Sequence, residues 1–152
     1  MKKPPYDTAR PYLASFVLLR RKNKVAFVLR SNTDWRNGYY GLPAGKTEHN
    51  ESALETAVRE VKEEAGVVVD KKDLTFLHMR HRKSEDHTLQ WIDIVYEATK
   101  WKGEPYNAEP KVHSELKWFD LDNLPDNVVP EFYPLIDDIK AGKMYSEYGW
   151  EE

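Results

Sequence analysis

Cysteine is absent from all 152 residues, which excludes disulfides, thiolate metal sites and cysteine nucleophiles. No apolar run approaches the roughly 18–20 residues that a membrane-spanning helix needs. The basic start MKKPPYDTARPYLASF is interrupted by Pro4, Pro5, Asp7 and Arg10, so it lacks the apolar centre of a secretory signal. Strong charge of one sign is also missing. Lys and Arg number 23 against 26 Asp and Glu, and a net charge of −3 is too mild for a nucleic-acid duplex as a stable partner. There is no internal repeat, low-complexity tract or linker-like stretch, so residues 1–152 are expected to form one domain. The expected setting is a reducing cytoplasm, with no membrane.

What is present begins with a core. Hydrophobic residues make up 40% and aromatics 12%, which argues against disorder. The charges are also unevenly placed. Residues 1–30 carry eight Lys/Arg against the single acid Asp7, while residues 101–152 carry twelve Asp/Glu against five Lys. Such a basic edge suits a polyphosphate or a plain solvated surface.

Tyr12 to Leu19 and Val25 to Leu29 read as strands joined by the exposed turn Arg20–Lys24. Ser31 to Tyr40 reads as a loop rich in turn formers and aromatics, followed by Gly41-Leu42-Pro43-Ala44-Gly45. A helix follows, with Ser52 and Glu55 forming a capping box and Gly66 as its stop. Leu54, Ala57, Val58, Val61 and Ala65 recur with helical period and form its expected buried stripe. Further strands are expected at Leu74–Arg82, Leu89–Tyr96 and Leu116–Phe119. A second helix is expected over Pro130–Ile139, kinked or restarted at Pro134. The aromatic segment Tyr145–Trp150 is expected to dock on the body or on a second subunit, so a homodimer is one outcome. The class is α+β or α/β, a mixed sheet with helices on its faces.

The chemistry resides in the first helix. Glu60, Glu63 and Glu64 are three and four residues apart and project to one side, where like charges cost a helix a few tenths of a kcal/mol. A divalent cation reverses the sign of that repulsion. All-oxygen ligands favour a hard ion, magnesium first and manganese next. Three glutamates alone are more often a solvated face. Here Gly45, Glu51, Arg59, Glu60, Glu63, Glu64 and Gly66 stand at the spacing G-x5-E-x7-R-E-V-x-E-E-x-G.

This run, Gly45 to Val67, resembles the Nudix box at every fixed position. Gly41-Leu42-Pro43 resembles the stretch that precedes the box. Residues 104–110 and 118–125 look like the tail of the MutT-like nucleoside triphosphate pyrophosphatases. Ala44 stands where many members have Gly, and Tyr40 where many have Trp. The resemblance implies an α/β/α sandwich with a mixed β-sheet and metal-dependent hydrolysis of a nucleoside diphosphate linked to another group. It further implies that Glu60, Glu63 and Glu64 ligate the metal, joined by the backbone carbonyl beside or at Gly45. Arg59 and Glu51 then pair to brace the loop against the helix, completing the catalytic set.

Glu109 is a candidate for a further acid on a distant loop, a position many members fill. The five histidines lack metal-ligand spacing, and His78 and His81 are expected to pack or face solvent. Arg30 and Arg36 are candidates for phosphates. Trp35, Tyr39, Tyr40, Phe27, Trp91 and Trp118 are candidates for a stacking wall, with Arg30, Trp35 and Tyr40 the preferred substrate contacts. The favoured substrate is a small nucleotide: a normal or modified nucleoside triphosphate cut to monophosphate and pyrophosphate. ADP-ribose or another nucleotide sugar, and a dinucleoside polyphosphate, are rival substrates. A non-hydrolytic nucleotide sensor is the rival class; such sensors commonly lose box carboxylates, all present here, and often carry an extra domain for which this length leaves no expected room.

Overall fold

The computed structural model describes residues 7–151; Lys2, Lys3, Pro4 and Pro5 of the basic start, and Glu152, lie outside the described residues. Eight strands and two α-helices follow one another as β1 (Tyr12–Arg21), β2 (Lys24–Arg30), β3 (Tyr40–Gly41), β4 (Ala44–Lys46), α1 (Ala53–Ala65), β5 (Leu74–Lys83), β6 (Gln90–Ala98), β7 (His113–Asp120), α2 (Phe132–Lys140) and β8 (Tyr145–Tyr148). A 3₁₀ turn, Lys71–Asp73, precedes β5.

The mixed sheet forms around β1. Its first half pairs antiparallel with β4 and its length pairs parallel with β6, while its end hairpins into β2. β5 and β8 extend the sheet beyond β6; β3 and β7 flank β2. Because neighbouring side chains on a strand point to opposite faces, β1 feeds two cores. Val17 and Leu19 pack with Ala57, Val61 and Ala65 of α1, together with Ala26, Val67, Val69 and Ala98. Leu18 packs on the other face with Phe27, Val95, Leu135 and Ile136, the last two from α2. The result is an α/β/α sandwich, and a strand buried on both faces explains the nearly unbroken apolar run of β1.

Helix α1 has the ends its sequence predicts. Ser52 accepts from the Glu55 amide, Glu55 reciprocates to the Ser52 amide, and Gly66 closes the helix in the left-handed region at φ 71°. The buried stripe differs at three places. Leu54 and Val58 are only half-buried, and Thr56 is fully buried because its hydroxyl has partners in Thr47 and Glu51. Period alone cannot show that a polar residue will be satisfied.

Pro134 causes no kink in α2. It falls in the first turn, where the missing amide would have had no intrahelical partner. β7 begins at His113 rather than Leu116, since its polar start is held by pairing with Arg30 and Leu29 of β2. The stretch before α1 forms β3 and β4, too short to read from pattern. The C-terminal aromatics dock on the body as β8, parallel to β5, anchored by buried His78 bonding Ser146 and the Lys143 carbonyl at 2.7 and 2.8 Å. Among the described residues, no helix is long and apolar enough to cross a membrane.

Candidate active site

Arg59 is the hub of the acidic face of α1. Its Nε and Nη2 donate to the two oxygens of Glu51 at 2.8 and 3.0 Å, a two-pronged pair that ties the helix to the loop before it. Nη2 also donates to the Lys46 carbonyl at 3.1 Å, and Nη1 to Glu60 at 2.7 Å and Glu63 at 3.3 Å. The Arg59 hydrogen bond holds the Glu51 carboxyl down at about 2, aided by the Glu48 amide and Thr56. Glu51 and Arg59 are therefore both committed to holding the loop.

Glu60 and Glu64 sit deeper. Glu64 accepts from the Ala44 amide at 2.7 Å, which aims the carboxylate at the strand preceding the helix. Burial, then the charges of Glu60 and Glu109, pushes its carboxyl well above the usual carboxylate range. Burial likewise lifts Glu60 to about 7 despite the lowering pull of Arg59, with Glu63 and Glu109 adding to the rise. Loss of solvation is the main cause, and repulsion among close carboxylates adds to it.

Gly45 stands where the backbone of β4 passes the Glu60 side chain, and an added Cβ would land on the Glu60 carboxylate. Glycine is required here for close approach, not for backbone angle. In Gly45→Ala the flexible Glu60 head swings aside while the helix holds. The melting temperature is expected to change by only a few degrees, whereas catalytic turnover falls roughly 10²-fold, the cost of about 1 Å of misplacement at a reacting centre. Thermal melts and steady-state rates on the same preparation check this.

The rest of the cluster comes from a separate loop. A turn brings Glu109 and His113 together, the His113 amide donating to the Glu109 carbonyl at 3.1 Å. Ligand atoms of Glu64, Glu109 and His113 all lie within 4.8 Å of one another. Burial lifts the Glu109 carboxyl, and Glu63 adds to the rise. Burial and then the Arg30 charge pull the His113 imidazole down to about 4, so at neutral pH the ring is uncharged and carries an available lone pair. His113 Nδ1 is buried with no hydrogen-bond partner among the described residues. Mutually repelling carboxylates beside an unpartnered imidazole nitrogen fit a divalent cation better than they fit one another.

The five histidines lack metal-ligand spacing in the sequence, yet the fold sets His113 beside Glu64 and Glu109 in a group of the size that a cation fits. The available sequence signal was the spacing Glu109-x3-His113, which means little in a segment read as loop. Of Glu60, Glu63 and Glu64, Glu63 is the exposed one, its side chain at 49% against 12% for Glu60.

A cavity of about 800 Å³ opens from Glu64, Gly45 and His113 across the α2 face of the sheet. Arg30 and Trp35 line it. Arg30 lies 5.1 Å from the Trp35 ring and donates to the Trp35 carbonyl at 3.0 Å. Tyr40 does not line it. Its ring packs on Phe119 inside the core, and its hydroxyl donates to Glu115, so the expectation of a substrate contact there is corrected. Phe27 is likewise core, and Trp118 stacks on Trp101 elsewhere; Trp91 does line the cavity. Arg36 does not line the cavity but pairs with Glu85, which does.

A family model described as the NUDIX domain matches residues 10–139. An ADP-ribose pyrophosphatase of Methanocaldococcus jannaschii is 31% identical over 115 residues, covering 76% of this chain and 65% of that protein. The chain thus spans just under two thirds of that relative's length. An 8-oxo-dGTP diphosphatase of Escherichia coli is 27% identical over 125 residues, covering 81% of this chain and 92% of the relative. The crystal structure of a MutT NUDIX hydrolase from Burkholderia pseudomallei superposes with a TM-score of 0.76 at 26% identity, over 84% of this chain and 97% of that one.

Proposed function

The chain belongs to the NUDIX family, and from that premise we propose that it hydrolyses a nucleoside triphosphate, normal or modified, to monophosphate and pyrophosphate. The observation that carries this reading is the convergence of Glu60 and Glu64 of α1 with Glu109 and His113 at the edge of a nucleotide-sized cavity. NUDIX hydrolases need a divalent metal. Magnesium is proposed, with manganese as substitute, because carboxylate oxygens dominate the donor set. Glu60, Glu63, Glu64 and Glu109, with the Gly45 backbone carbonyl and His113, are the proposed ligand group. When bound, the cation supplies positive charge where the bridging oxygens of a diphosphate gather negative charge.

The chain's own residues do the rest. Glu51 and Arg59 hold the loop so that the Gly45 backbone and the Glu60 carboxylate keep their spacing. Arg30 and Lys46 line the cavity near Glu64 and offer cationic partners to phosphate oxygens. Attack by water in line with the leaving group requires a base, and a carboxylate of this cluster not engaged by the cation accepts that proton. Trp35 and Trp91 offer ring faces to the base.

The relative named for ADP-ribose motivates a second arm of the test. Purified protein is assayed for released phosphate and pyrophosphate on normal, oxidised and methylated nucleoside triphosphates, ADP-ribose and other nucleotide sugars, and dinucleoside polyphosphates, each with magnesium and with chelator. Magnesium-dependent turnover is expected on triphosphates and lost in chelator. Preference for ADP-ribose overturns the substrate assignment, and inactivity on all of them with ligand binding intact overturns the enzyme reading in favour of a sensor.

A further inference from the structure

The segment that carries Glu109 reaches the cluster by way of the C-terminal end of α1. The last turn of a helix leaves carbonyls without intrahelical donors. Two of those in α1 are taken by this segment: the Tyr106 amide donates to the Ala65 carbonyl at 3.0 Å, and the Ala108 amide to the Glu64 carbonyl at 3.2 Å. The Tyr106 ring closes over Gly66, where an added Cβ would land on it. The backbone of Glu64 therefore holds the residue just before Glu109.

Those ties end at Ala108 and leave the 109–113 turn to be fixed by other means. Within the turn, the Val112 and His113 amides both donate to the Glu109 carbonyl, at 3.2 and 3.1 Å. From outside, the Ser31 amide donates to the Val112 carbonyl at 2.9 Å and Asn32 Nδ2 to the Lys111 carbonyl at 3.3 Å. One half-buried side chain joins its two ends. Asn107 Nδ2 donates to the His113 carbonyl at 2.9 Å, and Asn107 Oδ1 accepts from the Glu109 amide at 3.3 Å.

The residue type suits the place. A side-chain amide carries a donor and an acceptor on one planar group. Turned over, it would set oxygen against the His113 carbonyl and nitrogen against the Glu109 N–H, so the two bonds also fix its orientation. Accepting from the amide two residues on is open to Asn and Asp alike, but only Asn adds the donor that reaches His113. The turn works against a load, because the Glu109 charge disfavours charge on Glu64 while their ligand atoms lie within 4.8 Å of one another and of His113. Without a cation, that repulsion pushes the turn away from α1.

Resting on the metal-dependent reading of this cluster, we propose that Asn107 is a positioning residue for the reaction, one that sets Glu109 and His113 against Glu64 before the cation arrives. It acts through the Glu109 amide and the His113 carbonyl; among the described residues it makes no hydrogen bond to a ligand atom of the cluster.

Calorimetric titration of the whole protein with Mn²⁺ alone, without substrate, tests this. Asn107→Ala is expected to weaken Mn²⁺ binding about 10- to 100-fold, as loss of a partner behind a metal ligand does. The magnesium concentration for half-maximal turnover should rise by a similar factor, with kcat at saturating magnesium largely kept. Melting in chelator should change little, since Ser31 and Asn32 still hold the turn. Asn107→Asp separates position from charge: it keeps the acceptor for Glu109 but sets a carboxylate oxygen against the His113 carbonyl. Positioning requires weaker Mn²⁺ binding there, whereas an added negative charge acting alone would strengthen it. Asn107→Ser, which retains only an acceptor, is expected to fall between the wild type and Asn107→Ala and serves if the latter does not fold. Unchanged Mn²⁺ affinity in the folded variants, or tighter binding in Asn107→Asp, overturns the assignment. If Glu64→Gln weakens Mn²⁺ binding and the Asn107 variants do not, this inference falls and the metal reading stands. If the wild type takes up no Mn²⁺, both fall.

Discussion

Glu64→Gln is expected to lower turnover at least about 100-fold while the protein folds as before, since partners of a metal site are each worth 10- to 100-fold and a ligand is worth no less. The fold survives because the amide oxygen of glutamine can still accept from the Ala44 amide, as the Glu64 carboxylate does at 2.7 Å. What disappears is one negative charge from a group where burial, Glu60 and Glu109 already disfavour charge. In chelator, the variant's melting temperature should therefore equal or exceed that of the unmodified protein. The rise in melting temperature on adding magnesium should shrink, because ligand binding stabilises only in proportion to affinity. Steady-state rates and paired melts with magnesium and with chelator decide the matter. Near-full turnover removes Glu64 from the proposed ligand group.

The second large effect is expected at Arg59, and it has the opposite sign in stability. Arg59→Met keeps the packing of the aliphatic stem and removes a guanidinium shared by Glu51, Glu60, Glu63 and the Lys46 carbonyl. Glu51 and Glu60 are then left as mostly buried carboxylates without their cation, with side-chain exposures of 14% and 12%. Loss of hydrogen bonds to charged groups costs about 1–3 kcal/mol. A domain of this size should lose roughly 2–12 °C in melting temperature, taking about 2–4 °C per kcal/mol. Turnover should fall with it, because the loop carrying Gly45 loses its tie to α1. Part of the stability, but not of the turnover, should return in high magnesium, which screens the crowded carboxylates without rebuilding the tie. Unchanged melting and unchanged rates would show that the pairing is ornamental. If turnover is lost without any change in stability, Arg59 acts on the reaction and not through the loop.

Much of the candidate site was legible because its parts are local. Glu60, Glu63, Glu64 and Arg59 share one helix face, and the capping box and Gly66 set the helix ends within a single segment. Gly45 and Glu51 lie within the same short run, so spacing alone brought them near. Tyr40 and Trp35 show the limit. Both are aromatic and both precede the box, yet one turns into the core against Phe119 and the other borders the cavity. Composition cannot separate them, since a loop side chain's direction is set by what packs beneath it.

The sequence by itself determined the longer strands, the α1 helix with its acidic face, and the family to which that face belongs, because each rests on interactions between residues a few positions apart. The tertiary structure alone decided that His113 and Glu109 meet Glu64, that Thr56 is buried, and that Arg80, Arg82, Asp93 and Glu131 gather in one cavity. Those groupings join β5, β6, the start of α2 and the 109–113 turn to α1 and β4 through sheet register. Register across parallel and antiparallel neighbours is a property of the whole packed sandwich, which no local pattern encodes.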